Sequence, residues 1–260
     1  MKEPANRAFA MRLVAHRFLS LGPIRISTYL AMLYVGCVIG IMQGAMVARA
    51  SGLDTMRFVV ATVLLMIPAF AGSRLWFVAQ RFETFRANPR AIWRSGDGGA
   101  ALYGGLIGGI VFSPLVLAVV GAPFLQYWDA ASITMLIAVV VTRLGCLMNG
   151  CCGGRETRGA LGLWLPDYRG VWLRRFPTQL LESGWAAIVL TVVLNLQTRF
   201  THPGTLFATV VAAYAAGRLL IEPTRESTNR FRTTYLNIGV SIALLALAGA
   251  RLIYQLQTDR

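Results

Sequence analysis

Seven apolar runs divide the chain, each close to the roughly 20 residues that an α-helix needs to cross a bilayer. They predict spanning helices over about Ile26 to Ala48, Phe58 to Gln80, Ala101 to Val120, Tyr127 to Met148, Gln179 to Leu196, Gly204 to Leu220 and Leu236 to Tyr254. The intervening polar stretches are unequal. Those after the first, third and fifth runs are short; those after the second, fourth and sixth are longer and hold most of the polar chemistry. The longest, about Asn149 to Thr178, contains Trp164, Pro166, Asp167, Tyr168, Trp172, Arg174 and Arg175. That mixture predicts a small cap of short strands or turns, with aromatic rings at head-group depth. No internal repeat or disordered linker interrupts the pattern. The expected architecture is a single all-α integral membrane domain of seven transmembrane helices, residues 1–260, with the cap at 149–178 between helices 4 and 5.

The first twenty residues fit no span and no cleavable signal peptide. Lys2, Arg7, Arg12 and Arg17 are spread through apolar positions. This predicts an amphipathic helix in an N-terminal segment, about 1–25, lying on the membrane surface, with a plain basic tail as the alternative.

Composition agrees with a membrane protein. Hydrophobic residues make up 56% of the chain, charged residues 14%, and the mean hydropathy is +0.58; soluble domains are about 25% charged. The net charge is +14, carried by 24 arginines and one lysine. Such a balance first suggests nucleic acid. The arginines, however, are scattered through short loops between apolar spans, so the expected partner is anionic lipid and not nucleic acid. The guanidinium fork also grips a phosphate through two hydrogen bonds, which an ammonium does not. The face holding the N-terminus and the longer loops carries 19 basic residues and the opposite face 5, with Arg74 inside a helix. The positive-inside rule alone would put the richer face in the cytoplasm.

Two arginines stand out by position. Arg143 follows the apolar stretch Ile133 to Val141 and precedes a turn rich in glycine and cysteine. Arg218 occupies a similar place in Tyr214-Ala215-Ala216-Gly217-Arg218. A charge at the mouth of a membrane helix is costly and usually has an anionic partner or water beside it. Together they suggest a site for an anionic lipid head group. The structural alternative is interfacial anchoring or an internal pair, such as Arg218 with Glu222 at i, i+4.

Of the four cysteines, Cys37 lies in the first helix, while Cys146, Cys151 and Cys152 fall within seven residues. Structural zinc needs a fourth ligand in a complementary pair. Neither His16 nor His202 is well placed, so no metal is expected, and nothing in the chain calls for a cofactor. A disulfide from Cys146 to Cys151 or Cys152, free thiols, and simple small-residue packing all remain open.

Several segments, in order, resemble the prolipoprotein diacylglyceryl transferase family of bacterial membranes. Leu21-Gly22-Pro23-Ile24-Arg25-Ile26 with Tyr29 looks like its opening, and Gly72-Ser73-Arg74-Leu75 like its glycine-arginine turn. Leu102-Tyr103-Gly104-Gly105-Leu106-Ile107-Gly108 resembles its histidine-glycine-glycine segment. Thr142-Arg143-Leu144-Gly145 through Asn149-Gly150 resembles its signature. Phe176-Pro177-Thr178-Gln179-Leu180-Leu181-Glu182 and Tyr214 to Glu222 complete the set. The similarity spans about Phe18 to Leu252.

The resemblance implies a seven-helix enzyme whose site opens sideways to lipid. It implies transfer of a diacylglyceryl group from phosphatidylglycerol to a lipobox cysteine thiol, with glycerol phosphate leaving. Arg143 and Arg218 match essential arginines. Tyr103 and Glu222 join them as catalytic candidates; Glu222 orients Arg218 or acts as a base. Tyr29, Arg74, Gly104, Gly105, Asn149, Gly154, Gln179 and Tyr214 are the implied substrate-binding positions. For Gly104 and Gly105 the alternative is close helix packing. Three polar positions depart from the family: Tyr103 stands for its histidine, Cys146 for an asparagine and Cys151 for an acidic residue. The resemblance also implies a bacterial inner-membrane location with the active site on the outer face, against the charge bias. The leading expectation is therefore a membrane transferase acting on an anionic glycerophospholipid, with a lipoprotein cysteine or another nucleophile as acceptor. The alternatives are a non-catalytic lipid-binding or lipid-moving protein on the same scaffold, and a thiol redox role for Cys146, Cys151 and Cys152.

Overall fold

A computed structural model describes residues 18–21, 24–80, 82–88, 101–166, 171–226 and 230–258. In chain order the elements are β1 (Phe18–Leu21), β2 (Ile24–Ser27), α1 (Thr28–Ala50), α2 (Thr55–Gln80), the short α3 (Phe82–Ala87), α4 (Leu102–Val120), α5 (Phe124–Asn149), β3 (Leu163–Pro166), β4 (Trp172–Arg175), α6 (Thr178–Asn195), α7 (Thr205–Ile221) and α8 (Arg230–Thr258). Among the described residues seven helices, all but α3, are long and apolar enough to cross a membrane. This is an all-α integral membrane architecture with little sheet. Most observed ends lie within three residues of those expected. The exception, α8, starts at Arg230 because backbone hydrogen bonding continues into Arg230 to Thr234 after apolarity has ended.

The N-terminal expectation needs correcting where it can be compared. Phe18 to Leu21 is not helical. It pairs antiparallel with β2, Phe18 opposite Ser27 and Leu21 opposite Ile24. The alternation Ile24, Arg25, Ile26, Ser27 has a period of two, which suits a strand. Residues 1–17, with Lys2, Arg7, Arg12, His16 and Arg17, lie outside the described residues. Ser27 then starts α1, its hydroxyl accepting the Leu30 N–H at 3.2 Å.

The helices bury small residues and turn large ones outward. In α1 the buried line is Gly36, Gly40, Gly44 and Ala48, while Val38, Met42 and Met46 are exposed. That pattern fits lipid outside and close helix contact inside. A Cβ on Gly40 would lie 2.6 Å from the Thr134 carbonyl oxygen of α5. The helices α1 and α5 form the most extensive pair, followed by α2 with α4.

One carboxylate inside a span has a purely structural explanation. Asp129 of α5 is buried and accepts the N–H groups of Gly204 at 2.6 Å and Phe207 at 2.8 Å. It thereby caps α7 from a neighbouring helix. Replacing Asp129 by Ala should lower stability by about 1–2 kcal/mol, the loss typical of an N-terminal cap. A thermal melt in detergent checks this; an unchanged midpoint would refute the capping role.

At the other end of α5 lies the cap. Strands β3 and β4 pair antiparallel, as expected for this loop. Leu165 packs on Leu147 of α5, with Leu163, Trp172 and Leu180 around them. Asp167 and Tyr168, also expected in the cap, lie outside the described residues. Arg175 pairs with Glu226 at 2.6 Å and ties the cap to the segment after α7.

Candidate active site

Three helix ends meet beneath the cap: the C-terminal ends of α5 and α7 and the N-terminal part of α6. Glu182, one turn into α6, is their common point and is 1% exposed. Its Oε2 pairs with Nε of Arg143, and its Oε1 pairs with Nη1 of Arg218 and, at 2.5 Å, with Nη1 of Arg225. Arg218 also pairs with Glu222 at 2.9 Å, so the i, i+4 contact read from the sequence is present. Asn237 of α8 donates to the second oxygen of Glu222 at 2.9 Å, and Gln80 of α2 donates to Asn237 at 3.0 Å.

The charge balance of this cluster follows directly. Three guanidiniums face two carboxylates, leaving one positive charge in excess. Burial weakens screening, so that excess acts more strongly on a nearby anion than it would in water.

Tyr103 sits under the cluster. It is buried, its hydroxyl is hydrogen-bonded to Ser241 of α8, and its ring lies 5.9 Å from the Arg218 guanidinium carbon. Ser241 in turn donates to the Asn237 carbonyl at 2.8 Å. Tyr214 faces Arg143 and Tyr103. The apolar sides of both tyrosines line a small cleft with Leu106, Leu136, Val139 and Val210. Apolar walls therefore run up to a cationic roof.

The other expected positions divide. Gln179 is buried and donates to the Cys151 carbonyl at 2.8 Å. Asn149 donates to the Cys151 sulfur. Gly154 receives the cap strand: its N–H bonds the Phe176 carbonyl at 3.1 Å, and it bridges to Arg225. Tyr29 lies on α1 beside Gly145, within electrostatic reach of Arg143 and the three clustered cysteines. Two positions make packing contacts with α2 or α3. The Arg74 guanidinium lies over the Phe77 and Phe85 rings, at 5.4 and 5.7 Å, and is not a member of the Glu182 cluster. Gly104 presses on α2, where a Cβ would come within 2.3 Å of the Gly72 carbonyl oxygen and of Trp76. Gly105 faces Ala69 and Ser73 of the same helix, with more space. The close contact with α2 is what the packing alternative expects of Gly104.

Cys146, Cys151 and Cys152 are unbridged thiols whose sulfurs lie within 4.8 Å of one another. Gly150, at φ +70°, ends α5, and the Cys151 N–H returns to the Cys146 carbonyl at 3.1 Å. That turn folds the two later cysteines back onto the first. Hydrogen bonds from Cys146 and then Cys151 lower the Cys152 thiol well below its ordinary value, and the charges of Arg143 and Arg225 act the same way. Cys151 is lowered by its bond with Cys146, yet its bond to Cys152 and burial push it up to about 12 overall.

The family model described as prolipoprotein diacylglyceryl transferase matches residues 16–256. This chain belongs to the prolipoprotein diacylglyceryl transferase family. Among its relatives, the phosphatidylglycerol–prolipoprotein diacylglyceryl transferase of Shouchella clausii is 30% identical over 91% of this chain and 85% of its own length. The protein of that name from Halalkalibacterium halodurans is 31% identical over 98% of this chain and 87% of its own. That from Symbiobacterium thermophilum is 27% identical over 88% and 89%.

Sequence reasoning missed Glu182 as a site residue, and with it Arg225, Asn237 and Ser241. Glu182 carried a signal, being the sole carboxylate within the apolar run from Gln179 to Leu196. Arg225 resembled any loop arginine, and Asn237 and Ser241 any small polar residues on a helix. Only their approach in space distinguishes them.

Proposed function

We propose that this protein transfers a diacylglyceryl-type group from an anionic phospholipid such as phosphatidylglycerol to an acceptor thiol, that of a lipoprotein precursor. The observation that carries this reading is the single excess positive charge of Arg143, Arg218 and Arg225 against Glu182 and Glu222. A phosphodiester carries one negative charge and neutralises it. The small cleft below, walled by Leu106, Leu136 and Val210, sets an apolar surface directly beneath the cations.

The chemistry follows from where charge develops. The acceptor thiol gives up its proton to water, its sulfur attacks the glycerol carbon, and the carbon–oxygen bond to phosphate breaks. The electron pair moves onto the departing phosphate oxygen, so glycerol phosphate leaves more negative than the bound diester. Preorganised guanidiniums hold that growing charge more tightly than they hold the ground state, which is what accelerates a reaction. Glu182 and Glu222 fix the forks before the lipid arrives. Tyr103, committed to Ser241, positions the arginine face and does not act as a base. The cationic end of the bundle, with the cap, faces the outer side of the membrane. A non-catalytic lipid carrier is the competing reading.

Purified protein incubated with phosphatidylglycerol and a lipobox peptide is expected to release glycerol phosphate and add one diacylglyceryl mass to the peptide. Lipid that binds but stays intact, with the peptide unmodified, would favour the carrier.

A further inference from the structure

Cys146 lies in the last turn of α5, and the turn after it brings Cys151 and Cys152 back against it. The sulfurs already lie within 4.8 Å of one another. A tetrahedral ion with bonds of about 2.3 Å to sulfur would hold them roughly 3.8 Å apart, so closure needs an ångström or less per edge. Among the described residues no histidine, aspartate, glutamate or further cysteine completes the group. A closed structural zinc site needs four protein ligands, and the expectation of no metal rested on that count. An open site needs three, with the fourth position left to a water or substrate.

We propose that Cys146, Cys151 and Cys152 bind a zinc-type divalent ion through three thiolates, and that the open fourth position takes the acceptor thiol. Soft thiolate donors select zinc and similar ions over calcium or magnesium. The surroundings suit a thiolate set. Arg143 and Arg225 place positive charge beside Cys152. Gln179 fixes the Cys151 backbone at 2.8 Å, and Asn149 donates to the Cys151 sulfur. Such outer partners orient metal ligands. Cys152, the exposed member, offers an entry path from the cap side. Its φ of +58° is unusual for a residue with a side chain, and it accompanies the approach to Cys146 and Cys151.

The site answers a need left by Tyr103, since thioether formation requires loss of the acceptor's proton. On binding the ion, the acceptor S–H releases its proton to water and remains as a bound thiolate. That sulfur forms the bond to the glycerol carbon, the carbon–oxygen bond to phosphate breaks, and the electron pair leaves with the phosphate. The thioether product is neutral and a weaker ligand, so it departs. The acceptor half of this inference rests on the proposed transferase reading; the metal half does not.

The test uses the full-length protein, purified in detergent under reducing conditions without chelator. Elemental analysis is expected to find about one zinc per chain, and Co²⁺ exchanged into the site is expected to show thiolate-to-cobalt charge-transfer absorption. Cys152→Ser and Cys151→Ser should each weaken Co²⁺ binding by at least about a hundredfold, more than the loss of an outer partner does. Cys37→Ser, on α1, should leave it unchanged. A lipobox peptide should shift the cobalt spectrum, and the same peptide with serine for cysteine should not. No thiolate–cobalt absorption in fully reduced protein would overturn the metal site. Cobalt bound in the site but indifferent to the cysteine peptide would overturn the acceptor role. Failure of head-group release with the cobalt spectrum intact would strike the transferase reading and the acceptor half that rests on it, and leave the metal site standing.

Discussion

Arg218→Ala is expected to slow glycerol phosphate release by about 100- to 1,000-fold, the usual cost of losing one preorganised donor at a developing charge. The fold should survive the change. Removing Arg218 leaves Arg143 and Arg225 against Glu182 and Glu222, a balanced set. The loss should fall on both KM and kcat, because the balanced set no longer attracts the diester and the phosphate oxygen gains further charge as the bond breaks. Arg218→Lys keeps the charge without the fork and should fall between. Initial rates of release over a range of phosphatidylglycerol concentrations in mixed micelles measure this directly. A rate within about threefold of the parent protein would remove Arg218 from the chemistry.

Glu182→Gln should act differently. It withdraws the carboxylate shared by three guanidiniums and leaves them facing Glu222 alone. Breaking a buried pair by removing one partner destabilises by about 3–5 kcal/mol. A lowered melting temperature in neutral detergent is therefore expected. An anionic lipid supplies the missing negative charge, so phosphatidylglycerol should raise the melting temperature of the variant more than that of the parent. A zwitterionic lipid should not. Equal stabilisation of both proteins by both lipids would mean that Glu182 does not stand where the phosphate binds.

These two residues show what was legible before the fold was known. Spans are written locally, as runs of apolar residues, and bilayer thickness sets their length; the seven helices were therefore readable. Arg143 and Arg218 were readable because a charge beside such a run is rare. The cap hairpin was legible from the aromatic and proline content of its loop. Residues whose meaning depends on a distant neighbour were not. Arg74 matched a motif position but lies over Phe77 and Phe85. Gly104 matched one too, but what it meets is Gly72 of the adjoining helix. Phe18 to Leu21 lacked a visible partner until β2 supplied one. Glu182 lay inside a quoted segment, yet its importance comes from three arginines on two other parts of the chain. Cys146, Cys151 and Cys152 were visible as a cluster, but the mutual approach of all three sulfurs depends on the turn at Gly150.

Asp129, described above as a cap for α7, also sets a common datum for the arginines at the far end. Fourteen residues separate Asp129 from Arg143 on α5, and fourteen separate Gly204, which Asp129 binds, from Arg218 on α7. At about 1.5 Å per residue both arms are roughly 21 Å long. Near four full turns, they also return each arginine to almost the face from which its arm began. The two helices thus work as matched rulers clamped at zero by one carboxylate. Arg143 and Arg218 are thereby brought level with each other, where the single carboxylate of Glu182 reaches both.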